Sequence, residues 1–312
     1  MSVAFVFPGQ GSQSVGMLTE LAYAFSIVRE TFAEASEALE LDLWALVKNG
    51  PEKELNLTHR TQPAMLAAGI AVWRVWRELG GLFPVLMAGH SFGEYAALVC
   101  AEALNFKDGI VVAAERGRLM QEAVPEGAGS MAAIFGLSDE QVERVCRSAA
   151  QGQVVSGANF NAPGQVVVAG ATAAVERVLV LARQAGARRT LRLPVSVPVH
   201  CELMKPTAAR LAEYLRGIEV HRPVVPVIQN ADLASHDDPQ LIRDALTRQL
   251  YQPVPWVKTI QLMVEHGVTC VFECGPGKVL TGLNKRIMNT LSARSISDSQ
   301  TLADALTQAK GG

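Results

Sequence analysis

A basic excess, aromatic weight, paired cysteines and long apolar runs are all scarce or missing in this 312-residue chain. Lysine and arginine number 28 against 30 acidic residues, a formal charge of -2, and only 6% of residues are aromatic. That balance argues against a nucleic-acid binder, which needs a basic stripe, and any acidic partner has to be met by a local patch. The five cysteines, Cys100, Cys146, Cys201, Cys270 and Cys274, are odd in number and lack C-x-x-C spacing. They read as buried thiols in a reducing cytosol and not as a disulfide framework or zinc site. No apolar run is long enough to span a bilayer, and Met1 to Pro8 lacks the basic start of a signal peptide, so a cytoplasmic location is expected. The loop with Gly9 and Gly11 has neither the Lys-Ser/Thr of a phosphate loop nor dinucleotide spacing, so no nucleotide site is expected there.

What the chain does have is an ordinary globular composition, 49% hydrophobic, suited to helices packed on a parallel sheet. Its length allows one large domain or two packed ones. Pro84 to Ala88 is an apolar run of strand length, Gly89-His90-Ser91-Phe92-Gly93 follows, and Glu94 to Leu104 is rich in helix formers. Strand, sharp turn and helix around G-x-S-x-G make a nucleophile elbow, in which the turn lifts the serine hydroxyl above the sheet. The helix that follows would aim its N-terminal N–H groups at the same place. An oxyanion there meets the positive end of the dipole, with the Phe92 N–H as its first donor.

Val3 to Phe7 reads as a buried strand, and the loop Pro8 to Gln13 leaves its C-terminal end, where open α/β sheets carry function. Gln10 is a candidate for the second half of an oxyanion hole. Leu18 to Leu82 is helical, with Thr61 read as an N-cap before Gln62-Pro63 and with Trp73 and Trp76 read as core. Asp108 opens another helix. Between Gly127 and Val197 the rhythm changes. Ser130 to Phe135, Val154 to Ala158, Gln165 to Ala169 and Arg188 to Leu193 read as strands. Ser138 opens a capping box, Thr172 caps a second helix, and Asn159 to Gly164 is turn-rich. The order β-α-β-β-α-β is ferredoxin-like. The predicted fold is therefore α/β: a hydrolase-like large domain with a parallel sheet and the elbow, 1–126 and 198–312, interrupted by a ferredoxin-like α+β small domain, 127–197. Thr269 to Glu273 is read as the final strand, before a basic helix with Lys278, Lys285 and Arg286.

A serine nucleophile needs a base, usually histidine. Of six histidines, His90 alternates away from Ser91 and reads as support for the turn, while His59, His221, His236 and His266 lie in polar stretches. His200 follows the proline-punctuated Pro194 to Pro198 where the chain returns from the small domain, beside a cleft, and is the candidate base. A plain α/β-hydrolase would place His266 after Asp237 or Asp238, but the HGGG-type oxyanion motif is missing. Arg116 stands in a helix dominated by Ala, Val, Ile and Leu. It either pairs with Glu94 or Glu115, or receives a substrate carboxylate.

Six stretches carry a family resemblance: Phe7-Pro8-Gly9-Gln10-Gly11-Ser12-Gln13, Thr61-Gln62-Pro63-Ala64, Gly89 to Tyr95, Glu115 to Gln121, Asn159 to Gln165 and Glu273-Cys274-Gly275-Pro276-Gly277. In order and over nearly the whole chain, they resemble the malonyl-CoA:acyl-carrier-protein transacylases of bacterial type II fatty-acid synthesis. The resemblance implies a ping-pong transfer in which Ser91 takes malonyl from coenzyme A and passes it to the phosphopantetheine thiol of acyl carrier protein. It implies His200 as base and then acid, Gln249 orienting it through a carbonyl, an oxyanion hole from the N–H groups of Gln10 and Phe92, and Arg116 receiving the malonyl carboxylate. No bound cofactor is implied, since both thioesters are substrates, and a monomer is expected. Because the carrier proteins are acidic, Arg188, Arg189, Lys285 and Arg286 are the expected docking patch. The chain departs from the family where leucine usually follows the nucleophile and serine precedes the histidine: Phe92 and Val199 stand there and would border the acyl pocket. A serine thioesterase or esterase, an acyltransferase of altered selectivity, and a catalytically silent carrier-binding module are the competing classes.

Overall fold

The computed structural model describes residues 2–195 and 197–310. Ser196 of the proline-punctuated stretch, and Met1, Gly311 and Gly312 at the limits of the expected large domain, lie outside them. In chain order the strands are β1 (Val3–Phe7), β2 (Leu86–Gly89), β3 (Gly129–Phe135), β4 (Val155–Ala162), β5 (Gln165–Ala171), β6 (Arg189–Arg192), β7 (Val227–Ile228), β8 (Cys270–Cys274) and β9 (Ser292–Ile296). A parallel sheet runs β7-β2-β1-β8-β9, and a second sheet, antiparallel, runs β4-β5-β3-β6.

The central strand β1 is buried along its whole length, because helices cover both faces of a parallel sheet and every position must be apolar. Phe5 meets Trp73 and Trp76 of the helix Thr58–Glu78 edge-on at 5.3 and 5.2 Å, and Phe272 of β8 at 5.6 Å. Each such buried side chain contributes about 1.5–3 kcal/mol. Phe7 sits opposite Gly89 in the register, and the His90 N–H donates to the Phe7 carbonyl at 3.0 Å. The loops leaving β1 and β2 therefore emerge side by side, which fixes where a site can form.

The antiparallel sheet alternates with the strand period. Ala132, Ile134, Val166 and Val168 pack under the helices Asp139–Ala150 and Thr172–Gln184, while Met131, Ala133, Val167 and Ala169 pack on Cys201. Both faces are covered, so the small sheet is tied to the rest. The Phe160 N–H donates to the Val254 carbonyl at 2.9 Å, and the Val254 N–H to Ala158 at 2.8 Å. The sheet lies wholly within 127–197, which we propose as the inserted domain.

Four local expectations are corrected. Thr61 is not an N-cap: the helix begins at Thr58, and Thr61 turns its hydroxyl onto the Leu55 carbonyl at 2.6 Å. Gln121 of a neighbouring helix accepts from the His59 N–H at 3.2 Å, so a partner distant in sequence does the capping. Thr172 does not cap its helix either, because its hydroxyl donates to the Gly127 carbonyl at 2.7 Å. Asn159 to Ala162 continue β4 through two bulges, since Val254 offers a second pairing partner. β8 is not the last strand. The polar, half-exposed β9 follows it as an edge strand, where an apolar run is not required.

Candidate active site

The elbow depends on two glycines. A Cβ on Gly89 would lie 1.8 Å from the Gly93 carbonyl carbon, and one on Gly93 would lie 2.0 Å from the Phe7 carbonyl oxygen. Any side chain at either position would drive the helix Gly93–Cys100 off the sheet. Ser91 stands between them at φ 51, a left-handed conformation that a side chain adopts only when its surroundings impose it. The hydroxyl is thereby turned toward His200.

His200 is the second strained residue, at φ 63, and its N–H donates to the Leu250 carbonyl at 2.9 Å. Its Nδ1 lies 2.8 Å from the Gln249 carbonyl and 3.1 Å from that of Gln252. Carbonyls only accept, so Nδ1 carries the proton and Nε2 offers its lone pair to the Ser91 hydroxyl, which donates at 2.6 Å. Burial and then the charge of Arg116 hold the imidazole down to about 3, against the opposing pull of the two carbonyls. The ring is thus a neutral base at every physiological pH. Its NMR signals are expected to keep the neutral-tautomer pattern as pH falls through 6.5; a titration near that value would contradict the assignment. Between the two values the unfolded chain binds a proton that the folded one does not, so His200 subtracts stability as pH falls.

Arg116, 1% exposed, lies on the helix Phe106–Gln121. Neither carboxylate considered for it is its partner. Glu115 pairs with Arg118 at 2.6 Å, and Glu94 accepts from the Asn230 N–H at 2.7 Å. Instead Arg116 donates to neutral groups: Gln62 Oε1 at 2.9 Å, Gln249 Oε1 at 3.1 Å and Met120 Sδ at 3.1 Å. The rings of Phe92 and Tyr95, stacked on each other, lie 5.6 and 5.5 Å from the guanidinium carbon. Its Nε–H has no acceptor among the described residues. A buried cation with an unfilled donor and no counter-charge in contact is costly unless an anion completes it. Burial also raises the Glu94 carboxyl to about 7.

Gln249 does two things at once. Its carbonyl orients His200, while its side chain bridges Arg116 to the elbow by donating from Nε2 to the Ser91 carbonyl at 3.0 Å. Ser91, His200, Phe92, Arg116 and Gln10 all line one cleft of about 240 Å³. The N–H groups of Gln10 and Phe92 have no main-chain or side-chain acceptor among the described residues, whereas the Ser91 N–H is taken by Asn230 Oδ1 at 2.9 Å. Val199 and Met131 form part of the apolar wall. His90 points away, its Nε2 2.7 Å from Asn161 Oδ1 and its ring against Trp256. His266 lines a separate cavity with Val85 and Ile228, and Asp237 pairs with Arg222, so no second histidine site is assembled around them.

The expected docking cations are exposed. Arg286 donates to Gln165 at 2.5 Å; Gln165 pairs across β5 and β3 with Phe135, which pairs on its other side with Arg189. The Arg189 guanidinium lies 6.0 Å from the Phe135 ring. Sequence reasoning gives Gln62, Met120 and Asn230 no role, and offers Glu94 only as an ion-pair partner for Arg116. Met120 alone carried a signal, standing four residues from Arg116 on the same helix face.

An elbow serine with a neutral histidine at hydrogen-bonding distance, under two free main-chain donors, is the apparatus of enzymes that carry acyl groups as serine esters. Residues 4–305 match the model of the acyl transferase domain, and the chain belongs to that family. It is 57% identical over 305 residues to the malonyl CoA-acyl carrier protein transacylase of Salmonella typhimurium, covering 98% of this chain and 99% of that one. Among solved structures, an acyl carrier protein S-malonyltransferase from Vibrio cholerae superposes with a TM-score of 0.96 at 55% identity, over 97% of this chain and 99% of that one. A malonyl-transacylase solved in complex with a type II PKS acyl-carrier protein gives 0.98 at 56% identity, over 99% and 100%.

Proposed function

We propose that this chain is a malonyl-CoA:acyl-carrier-protein transacylase working through a malonyl ester on Ser91. His200 Nε2 takes the Ser91 proton as Oγ attacks the thioester carbonyl. The oxyanion of the tetrahedral intermediate lies between the N–H groups of Gln10 and Phe92. Collapse breaks the carbon–sulfur bond, and the imidazolium returns its proton to the coenzyme A sulfur. The carrier's phosphopantetheine thiol then runs the same steps in reverse order of partners. A base this weak suffices because a thiol, with a pKa of about 8.5, leaves without strong acid assistance. No metal or prosthetic group enters this scheme, and we place the enzyme in the cytoplasm as a monomer. No helix among the described residues is long and apolar enough to cross a membrane.

The observation that carries the reading is Arg116, buried beside the nucleophile with an unfilled donor. A silent carrier-binding module has no use for it, and a general esterase has no carboxylate to offer it. Transfer of radiolabelled malonyl from coenzyme A to carrier protein tests the function; label appearing only as free malonate would favour a thioesterase.

Arg188, Arg189, Lys285 and Arg286 are proposed to dock the acidic carrier. Support comes from the Arg286–Gln165 contact, which sets the two basic clusters at one end of the small sheet, while neighbouring Arg192 is spent on Glu176. Reversing Lys285 and Arg286 to Glu is expected to raise the KM for carrier protein roughly tenfold at low salt, with most of its salt dependence lost. An unchanged KM would remove the patch from the account.

A further inference from the structure

The strained turn at Ser91 is held by a side chain 139 residues further along the chain. Asn230, just beyond β7, reaches under the elbow with both ends of its amide: Oδ1 accepts from the Ser91 N–H at 2.9 Å, and Nδ2 donates to the Gly89 carbonyl at 2.8 Å. The two bonds straddle His90. Asn230 is itself fixed, because its own N–H donates to Glu94 Oε2 at 2.7 Å and it is 2% exposed. Glu94 has no ion-pair partner among the described residues and is fully buried beside Gln229, whose Nε2 lies 3.4 Å from Oε1.

We propose that Asn230 is the positioning residue of the nucleophile, a clamp on the main chain either side of His90 that Glu94 anchors from the helix. The argument is conformational. At φ 51 Ser91 would relax toward an ordinary conformation unless its peptide were tethered. A side-chain amide carries an acceptor and a donor on one rigid plane, so it can accept from one side of the turn while donating to the other. By occupying the Ser91 N–H, Asn230 also leaves Phe92 and Gln10 to supply the oxyanion donors. Release of the clamp would move Oγ away from His200 Nε2, and Asn230 makes no hydrogen bond to Arg116 among the described residues that its loss would remove. This proposal rests on Ser91 being the nucleophile.

Single-turnover acylation by malonyl-CoA, read as labelled protein, tests it. Asn230→Ala is expected to acylate about 100-fold more slowly, the scale of a misplaced reacting atom, with the KM for malonyl-CoA within about threefold of the parent. Glu94→Ala should be slowed comparably, and Glu94→Gln, which keeps an acceptor for the Asn230 N–H, restored to near the parent rate. The double variant Asn230→Ala with Glu94→Ala should be no slower than either alone, since Glu94 acts through Asn230. If Asn230→Ala does not fold, Asn230→Asp serves: it keeps the acceptor for Ser91 and lacks the donor for Gly89, so it should be slowed about tenfold, between parent and loss. A folded Asn230 variant acylating at full rate, a KM rising in step with the loss, or losses that multiply in the double variant would overturn the proposal. Absence of a Ser91 ester in the parent protein would sink the nucleophile assignment instead, so the two failures are distinguishable.

Discussion

Replacing His200 with Ala is expected to slow acylation of Ser91 and its discharge to the carrier thiol alike, each by about 10²–10⁴-fold. One imidazole serves both directions. In each half-reaction it removes a proton from the attacking group and returns it to the leaving group. Its tautomer is set by two carbonyls at 2.8 and 3.1 Å and not by a carboxylate, so no buried anion stabilises the imidazolium. The base is correspondingly weak, and the expected loss falls short of what an aspartate-backed triad would show. The residual rate is left to the Gln10 and Phe92 donors and to binding. Quenched-flow measurement of the two half-reactions separately checks this. A loss confined to one of them would require a second base.

Arg116→Ala is expected to reverse the acyl preference of the enzyme. Malonyl transfer should fall by the worth of a buried charged hydrogen-bond pair, about 2–5 kcal/mol or roughly 30- to 5000-fold, because the guanidinium lines the cleft beside Ser91 and donates only to neutral groups among the described residues. Acetyl transfer should rise. The Arg116 charge is the second cause, after burial, of the low basicity of His200, and a malonyl carboxylate would cancel that field where acetyl cannot. Removing the cation therefore frees the base for acetyl while depriving malonyl of its anchor. Phe92 and Val199 act on the width of the pocket, so methylmalonyl should respond to them. The Phe92 ring also lies 5.6 Å from the guanidinium carbon, so changes at Phe92 are expected to act on Arg116 as well. The kcat/KM values for malonyl-, methylmalonyl- and acetyl-CoA decide the matter, and equal losses for malonyl and acetyl would make Arg116 structural.

Much of this was legible in the chain because the relevant physics is local. The elbow is written in five consecutive residues between a strand and a helix, and the helix Asp139–Ala150 that covers the small sheet is announced by the Ser138 capping box, present in full. Arg116 is conspicuous as a cation following the apolar run Ile110 to Ala114 of its helix. What escaped was set by pairing across long stretches of sequence. Thr61 has the chemistry of an N-cap, but Gln121 took the duty. Asn159 to Ala162 carry turn residues, but Val254 pairs with them. β9 has too few apolar residues to stand out because it is an edge. Asn230, two residues past a two-residue strand, gives no hint that it reaches back to Ser91. Gln62 likewise looks like any helical glutamine until Arg116 is placed against it.

The most direct test of the central claim is the intact mass of the protein after brief exposure to malonyl-CoA, followed by addition of holo acyl carrier protein. The account predicts a gain of one malonyl group, mapped to Ser91 and absent in Ser91→Ala, that carrier protein discharges far faster than water does. Labelling of Ser91→Ala, or an ester lost to water as fast as to the carrier, would contradict it.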